Sequence, residues 1–179
     1  MNDATSDHDL LDRWSAGDRV AGEMLFARHF DAIYRFFCNK SNDPDELVQA
    51  AFLGCLRARD RFRKQASFRT FLFAIARNTL LHHLRSKRRA PAFDPERSSL
   101  AALVTTPTTR LARREDEDRL RAALRSLPLE QQTLLELHYW EDLDAAQLGE
   151  VFELPAGTMR VRLHRAREAL RGVLQEVHA

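Results

Sequence analysis

Apolar residues recur at helical spacing in two blocks of this chain, and the stretch between them, Ala90 to Arg110, breaks the pattern with three prolines. That arrangement leaves room for helices and for little else. Six Gly and six Pro in 179 residues are too few for a turn-rich all-β protein. A hydrophobic share of 44% beside 30% charged residues is that of a folded chain, with material for a modest core in each block. The expected fold is all-α: two small helical domains, residues 1–90 and 113–179, joined by a flexible linker at 91–112.

In the first block, Leu10 and Leu11 open a pattern that continues through Val20, Met24, Leu25, Phe26 and Phe30 to Ile33, Tyr34, Phe36 and Phe37, which makes two helices. Asn42-Asp43-Pro44-Asp45-Glu46 reads as a helix start, with Asp43 to cap, Pro44 in the first turn and Glu46 to complete a capping box. Leu47, Val48, Ala51, Phe52, Cys55 and Leu56 follow as one core-facing stripe, so Cys55 is expected as a buried structural thiol. A basic segment from Arg57 to Ser67 leads into a further helix over 67–89, apolar almost all round at Phe68, Phe71, Leu72, Phe73 and Ile75. Its second half gains a polar stripe, Asn78, His82, Arg85 and Arg89, whose spacing puts all four on one face.

In the second block, Glu115–Leu127 is expected to be helical with Leu120, Ala123, Leu124 and Leu127 inward, stopping before Pro128. Glu130–Tyr139 forms another helix. Asp144 caps a short helix carrying Ala145, Leu148, Val151 and Phe152, with Gln147 in the reciprocal position of a capping box. Glu153-Leu154 makes a turn, Pro155 takes the first helical position, and the last helix runs to the C-terminus. Together these form a helix-turn-helix pattern. Met159, Leu163, Ala166 and Leu170 make the inward stripe of the last helix, and Arg160, Val161, His164 and Arg165 lie on its outward side. Such a face suits a major groove, because Arg hydrogen-bonds guanine and Val packs on a thymine methyl. Arg162, about 60° from the inward stripe, suits a phosphate or an internal carboxylate. Arg167 and Arg171 belong on the DNA-backbone side.

Charge is distributed to match. The net +2 divides into −5 over residues 1–56, +10 over 57–91 and −3 over 92–179, and within that last segment 158–172 carries +4. Two basic islands in an acidic background point to two contacts with a polyanion, the alternative being solvated helix faces. Around the first island Arg61, Arg63 and Lys64 mix with Phe62 and Phe68, a combination that suits single-stranded nucleic acid unless the rings belong to the core. His82 and His83 point about 100° apart and lack further ligands at metal-binding spacing, so no metal is expected. No catalytic triad, phosphate loop or paired-carboxylate motif is present, and neither an enzyme nor a cofactor is expected. Cys38 and Cys55 form no disulfide framework, no apolar run reaches membrane-spanning length, and the acidic N-terminus is no signal peptide; a cytoplasmic protein is expected.

Taken in order, these residues resemble the extracytoplasmic-function group of bacterial RNA polymerase sigma factors, of the sigma-70 family. Asp45-Glu46-Leu47-Val48-Gln49 followed by Phe52 is similar to sigma region 2.2. Asp60-Arg61-Phe62-Arg63, Ser67-Phe68-Arg69-Thr70-Phe71-Leu72 and Ile75-Ala76-Arg77-Asn78 are similar to regions 2.3 and 2.4. Leu127-Pro128, Leu143, Pro155-x-Gly157-Thr158-Met159-Arg160 and Arg162-Leu163-His164-Arg165-Ala166-Arg167 resemble region 4. The resemblance implies a transcription initiation factor in which a region 2 helical bundle docks on core polymerase and melts the −10 element, while a region 4 helix-turn-helix reads the −35 element. Asp45, Glu46, Leu47 and Gln49 would dock on the clamp coiled coil of the largest subunit, and the polymerase flap would be a second contact. Arg61, Phe62, Arg63, Lys64, Ser67, Phe68, Arg77, Asn78, His82, Arg85 and Arg89 would hold the −10 strand, with an unstacked base captured by the loop at 61–67. Thr158, Arg160, Val161, Arg162, His164, Arg165 and Arg167 would bind the −35 duplex.

Relatives are commonly held by an anti-sigma factor, and the free protein is expected as a monomer without membrane insertion. Ala50, Phe71, His82, Glu153 and Val161 depart from frequent family residues: an acidic residue, Trp, Asp, Gly and Ser respectively. A helix-turn-helix regulator that does not bind polymerase is the competing reading. It has no need of Leu47-Val48-Gln49 beside a basic, aromatic loop.

Overall fold

The computed structural model describes residues 5–59, 62, 67–86, 94–100 and 115–176. A first lobe contains α1 (Asp7–Ser15), α2 (Arg19–Cys38), α3 (Pro44–Ala58) and α4 (Phe68–Ser86). The second contains α5 (Glu115–Ser126), α6 (Leu129–Tyr139), α7 (Ala145–Phe152) and α8 (Ala156–Glu176). Among the described residues the only pairing of β type is an isolated antiparallel bridge between Ser99 and Pro128. The architecture is all-α, as the sequence predicts.

Side-chain chemistry sets several helix starts. Ser6 accepts from the Asp9 amide while the Asp9 carboxylate accepts from the Ser6 amide, a reciprocal box opening α1. Asp18 opens α2 by accepting from the Val20 and Ala21 amides. The Arg13 guanidinium, donating at 2.7 Å, and those amides hold the Asp18 carboxyl below its ordinary range. The start of α3 differs from expectation. Asp43 occupies the cap position without a side-chain cap hydrogen bond, and the Glu46 box does not form. The Asp43 amide instead donates to the Ser41 hydroxyl at 3.1 Å, and Pro44, with its fixed φ, begins the helix.

The centre of the first lobe is α4. It packs against α1, α2 and α3, and its remaining side meets α7 of the second lobe. Neighbours on several sides explain why its first half is apolar almost all round. Cys55 on α3 is fully buried, and burial pushes its thiol up to about 12, so it is an inert packing group. The α3 stripe is wider than its core. Leu47, Val48, Ala51 and Cys55 are buried, whereas Phe52 is half-buried and Leu56 is 46% exposed, because the helix also presents an apolar flank to solvent.

In the second lobe Leu124, Leu127, Leu134, Leu148, Val151, Met159 and Leu163 form the core. The stretch expected to lack packed residues does not lack them at 94–100. Leu100 is completely buried, and the Leu129 and Glu130 amides donate to the Ser98 and Pro95 carbonyls, each at 3.0 Å. These are the α6 N-terminal amides that the helix itself leaves unpaired, so the segment has a definite place to bind.

Ion pairs line the junction between the lobes. Lys40, at the end of α2, is buried with its ammonium on the Glu136 carboxylate, on the Phe36 carbonyl at 3.0 Å, and 3.9 Å from the centre of the Phe36 ring. Burial pulls the Lys40 ammonium below its ordinary range, against the opposing pull of Glu136. Gln132 steadies the other Glu136 oxygen at 2.7 Å. Glu141 accepts from Arg69 at 2.6 Å and from Arg35 at 3.3 Å.

Candidate nucleic-acid interface

The second-lobe site is built by two short-range devices. Asp144 accepts from the Ala146 and Gln147 amides, and the Gln147 side chain accepts from the Asp144 amide, so α7 has the capping box that the sequence predicts. At its other end the chain reverses through Glu153, which is left-handed with φ 57°. The Leu154 amide returns to the Gly149 carbonyl at 2.8 Å, and a Cβ on Gly149 would lie 2.5 Å from the Leu154 carbonyl oxygen. Only glycine tolerates that approach. A non-glycine residue in the left-handed region costs about 1–2 kcal/mol, partly offset by the extra chain entropy of glycine when unfolded. Glu153→Gly is therefore expected to stabilise the protein by about 0.5–1 kcal/mol, read as a rise in the thermal midpoint. An unchanged or lower midpoint would show that the left-handed turn is not under strain.

From this turn α8 begins at Ala156, one residue after the expected position. Met159, Leu163 and Ala166 are buried and Leu170 is half-buried. Thr158, Arg160, Val161, His164, Arg165 and Arg167 are exposed, with Val161 at 51%. An exposed Val between arginines has no packing role in the folded chain, and it marks the outward face of the helix. Arg162, half-buried, donates to Glu96 at 2.9 Å, an internal carboxylate of the kind its angle predicts. Arg167 departs from a purely DNA-facing position: its guanidinium lies 5.4 Å from the centre of the Tyr139 ring and 3.2 Å from His138 Nε2.

In the first lobe, α4 brings Asn78, His82 and Arg85 to one exposed face. Arg89, and the loop residues Arg61, Arg63 and Lys64, lie outside the described residues. Ser67 is exposed and opens α4, accepting from the Thr70 amide at 3.1 Å. Phe62 is half-buried, with its ring 4.7 Å from that of Phe71 and at 61° to it. Phe68 is 3% exposed and packs against the rings of Trp14, Phe26 and His29, so its ring serves the core here. Arg77 is also turned inward. It donates to Glu130 at 2.5 Å and stacks 4.8 Å from the Phe152 ring centre.

A third surface lies along α2 and α3. Asp45, Glu46 and Gln49 are exposed, whereas Leu47 faces the core. Beside them Phe26, Phe30, Val48, Phe52, Leu53 and Leu56 line an apolar groove of about 340 Å³ rimmed by Asp45 and Gln49. Phe30, Leu53 and Leu56 are each more than 40% exposed. They are absent from the docking set expected from sequence, although the excess of apolar residues on α3 over one stripe was the signal. On the second lobe a separate apolar groove of about 530 Å³ runs between α6 and α8, lined by Leu135, Tyr139, Arg167, Leu170 and Leu174.

Comparison with known proteins places the chain in a family. The family model described as sigma-70 region 2 matches residues 25–90, and that described as sigma-70, region 4 matches residues 117–170. Among similar curated proteins, the RNA polymerase sigma-H factor of Pseudomonas aeruginosa is 29% identical over 181 residues, covering 94% of each chain. The ECF RNA polymerase sigma-E factor of Escherichia coli is 28% identical over 186 residues, covering 98% of this chain and 97% of its own. The fold is shared with CnrH, solved in complex with the cytosolic domain of CnrY, at a TM-score of 0.70 and 24% identity over 95% of this chain and 97% of that one. It is shared also with the sigma factor RpoE of Bartonella quintana, solved with the anti-sigma factor NepR, at a TM-score of 0.67 and 19% identity over 86% of this chain and 96% of that one. With region 2 and region 4 in their family order and relatives aligned over nearly the whole length, the chain belongs to the sigma-70 family, in its extracytoplasmic-function group, and is a transcription initiation factor that brings core RNA polymerase to promoters.

Proposed function

We propose that the work is divided among residues 1–90 for polymerase docking and the −10 element, 91–112 as linker, and 113–179 for the −35 element. The observation that carries this reading is the outward face of α8, where exposed Arg160, His164 and Arg165 surround the apolar Val161 on a helix fixed by a capped turn. Arginine and valine there match guanine edges and thymine methyls in a major groove. Thr158, Arg162 and Arg167 flank them for phosphate contact, the last two after exchanging their present partners. On the −10 side, Asn78, His82 and Arg85 offer a polar track for one strand, extended in sequence by Arg89. The loop cations Arg61, Arg63 and Lys64, with Phe62 and Ser67, receive an unstacked base, whose stacking and hydrogen bonding offset a flipping cost of a few kcal/mol. Arg77 joins once freed from Glu130, and Phe68 supports the site from the core.

Docking falls to the α2–α3 groove. Asp45, Glu46 and Gln49 form its polar rim, the exposed apolar side chains its floor, and Leu47 holds α3 in position. The clamp coiled coil of the largest subunit is the partner there, and the α6–α8 groove suits the flap. The protein works in the cytoplasm, without catalytic activity, metal or cofactor of its own. Because the Bartonella RpoE was solved with the anti-sigma factor NepR, and CnrH with the cytosolic domain of CnrY, an anti-sigma factor that covers these same surfaces is a further partner.

The division of labour in α8 is testable by binding to −35 duplexes of varied sequence. Arg165→Ala is expected to cost about 1–3 kcal/mol and to change which base is preferred. Arg171→Ala, at a position suited to the DNA backbone, is expected to weaken every sequence alike and to lower the salt dependence. Equal losses on all sequences for both variants would contradict the assignment.

A further inference from the structure

His138 sits where three pieces of the second lobe meet: the last turn of α6, the α6–α7 turn and α8. Its Nδ1 is 2.9 Å from the Leu143 carbonyl oxygen, and its Nε2 is 3.2 Å from the Arg167 guanidinium. A carbonyl only accepts, so Nδ1 carries the hydrogen; a guanidinium only donates, so Nε2 offers its lone pair. One form of the ring satisfies both contacts, the neutral Nδ1–H tautomer.

The two partners differ in freedom. The Leu143 carbonyl belongs to a turn closed by the Leu143 amide, which donates to the Leu137 carbonyl at 3.1 Å after left-handed Asp142, φ 52°. Arg167 is exposed on α8, and its other resting place is the exposed Tyr139 ring, 5.4 Å away. Nearby acids are engaged elsewhere or face solvent. Glu141 accepts from Arg35 and Arg69, the Asp144 carboxylate from α7 amides and Glu168 from Arg171, while Asp142 is exposed. Among the described residues, α5 and α7 place no charged partner on the ring.

Histidine changes charge near neutral pH. Here the proton enters at Nε2, the only ring nitrogen with a free lone pair, and Nδ1–H stays on Leu143. Two N–H groups and two positive charges then face each other across the Arg167 contact, with no acceptor between them. The guanidinium must leave, whereas the imidazolium is favoured by the C-terminal end of α6. A DNA phosphate accepts the freed guanidinium, and its charge also favours the imidazolium left behind.

We propose that His138 is a positioning residue for −35 binding: its neutral Nδ1–H tautomer holds Arg167 on α6, and transfer of Arg167 to a DNA phosphate is coupled to uptake of one proton at His138 Nε2. The proposal rests on the −35 reading of α8 given above. The DNA-bound protein then carries more protons than the free protein, so affinity rises as pH falls through the range where histidine titrates. Uptake of one proton limits the effect to about tenfold per pH unit.

The unaltered chain carries the first test. In nitrogen NMR of the free full-length protein at about pH 8, His138 is expected as the Nδ1–H tautomer. On acidification the Arg167 guanidinium signal is expected to move with the same midpoint as the ring. An Nε2–H tautomer, or an Arg167 signal that ignores the titration of the ring, would overturn the proposal.

The second test measures binding of the protein, assembled with core polymerase, to a labelled duplex carrying a promoter mapped with that holoenzyme. His138→Asn keeps an amide N–H near the place of Nδ1, and with it the Leu143 contact, but offers Arg167 no lone pair and does not titrate. The parent is expected to gain about tenfold more affinity between about pH 8 and about pH 6 than His138→Asn does, and to bind more weakly than that variant at about pH 8. His82 and His164 are present in both proteins, so their titration cancels in the comparison. Parallel pH profiles would overturn the proposal. Arg167→Ala is expected to weaken binding, to lower the salt slope by about one and to remove the extra pH dependence. If Arg167→Ala binds like the parent at every pH, the phosphate role given to Arg167 fails and the proposal with it. Weakened binding by Arg167→Ala beside parallel profiles for the parent and His138→Asn would remove the proposal alone.

Discussion

Replacing Asp45 and Glu46 together by Arg is expected to abolish binding to core polymerase while leaving the fold intact. Both carboxylates are exposed, and neither forms the α3 cap, since the expected Glu46 box is absent. Their removal therefore costs little in stability beyond the loss of two acidic groups from the first turn of α3, a few tenths of a kcal/mol to about 1 kcal/mol each. At the docking surface the change reverses charge at the rim of an apolar groove, and juxtaposed like charges across an interface cost several kcal/mol. Binding should fall by about a hundredfold or more, with circular dichroism and the thermal midpoint close to those of the parent. If polymerase binding survives the double reversal, the α2–α3 surface is not the dock. The reading as a regulator independent of polymerase predicts no polymerase binding by the parent either, and it also leaves the exposed Phe30, Leu53 and Leu56 without a purpose.

Gly149→Val is expected to have the opposite profile, destroying the second lobe while sparing the first. A Cβ at this position would lie 2.5 Å from the backbone oxygen of Leu154 and 3.4 Å from the Ala156 amide nitrogen. Neither atom belongs to a flexible side chain, so relief requires opening the turn that aims α8. Overpacking against backbone costs about 1–3 kcal/mol before the branched side chain adds its own strain, which is a large fraction of the stability of a small lobe. Binding to a −35 duplex should be lost and the α7–α8 amides should exchange faster, whereas amides of the α2–α4 core keep their protection. Unchanged binding to the duplex would mean that the turn does not position the reading face.

Much of the fold was legible because its signals are local. Apolar spacing, the Asp144–Gln147 box and the Pro-containing helix starts depend on neighbours a few residues away, and α7 and α8 formed where these marks lie. The outward residues of α8 were legible for the same reason, since a helix fixes relative direction. Contacts across long sequence separation were not. Nothing near Lys40 indicates that its charge will be buried against Glu136, nor does the polar character of Glu96 reveal that it sits on Arg162. Leu100 looked like one apolar residue in an aperiodic stretch, and a single side chain carries no period. The Phe residues near the basic loop were ambiguous in sequence because stacking on bases and packing in a core call for the same side chain. Three dimensions separate them: Phe68 joins the core, and Phe62 stays at its edge.

The near-neutral total charge follows the same logic. Acidic groups of the second lobe and linker lie against basic groups of the first lobe and of α8, so charges that cancel in the total also meet in space.

Transcription in a purified system tests the central claim most directly. Core RNA polymerase alone and core with this protein are presented with fragmented DNA from the organism that encodes it, and transcript starts are mapped. The account predicts starts that appear only with the protein, share elements near −10 and −35, and disappear with the Asp45→Arg, Glu46→Arg variant. Transcription that is equally silent, or equally unspecific, with and without the protein would contradict it.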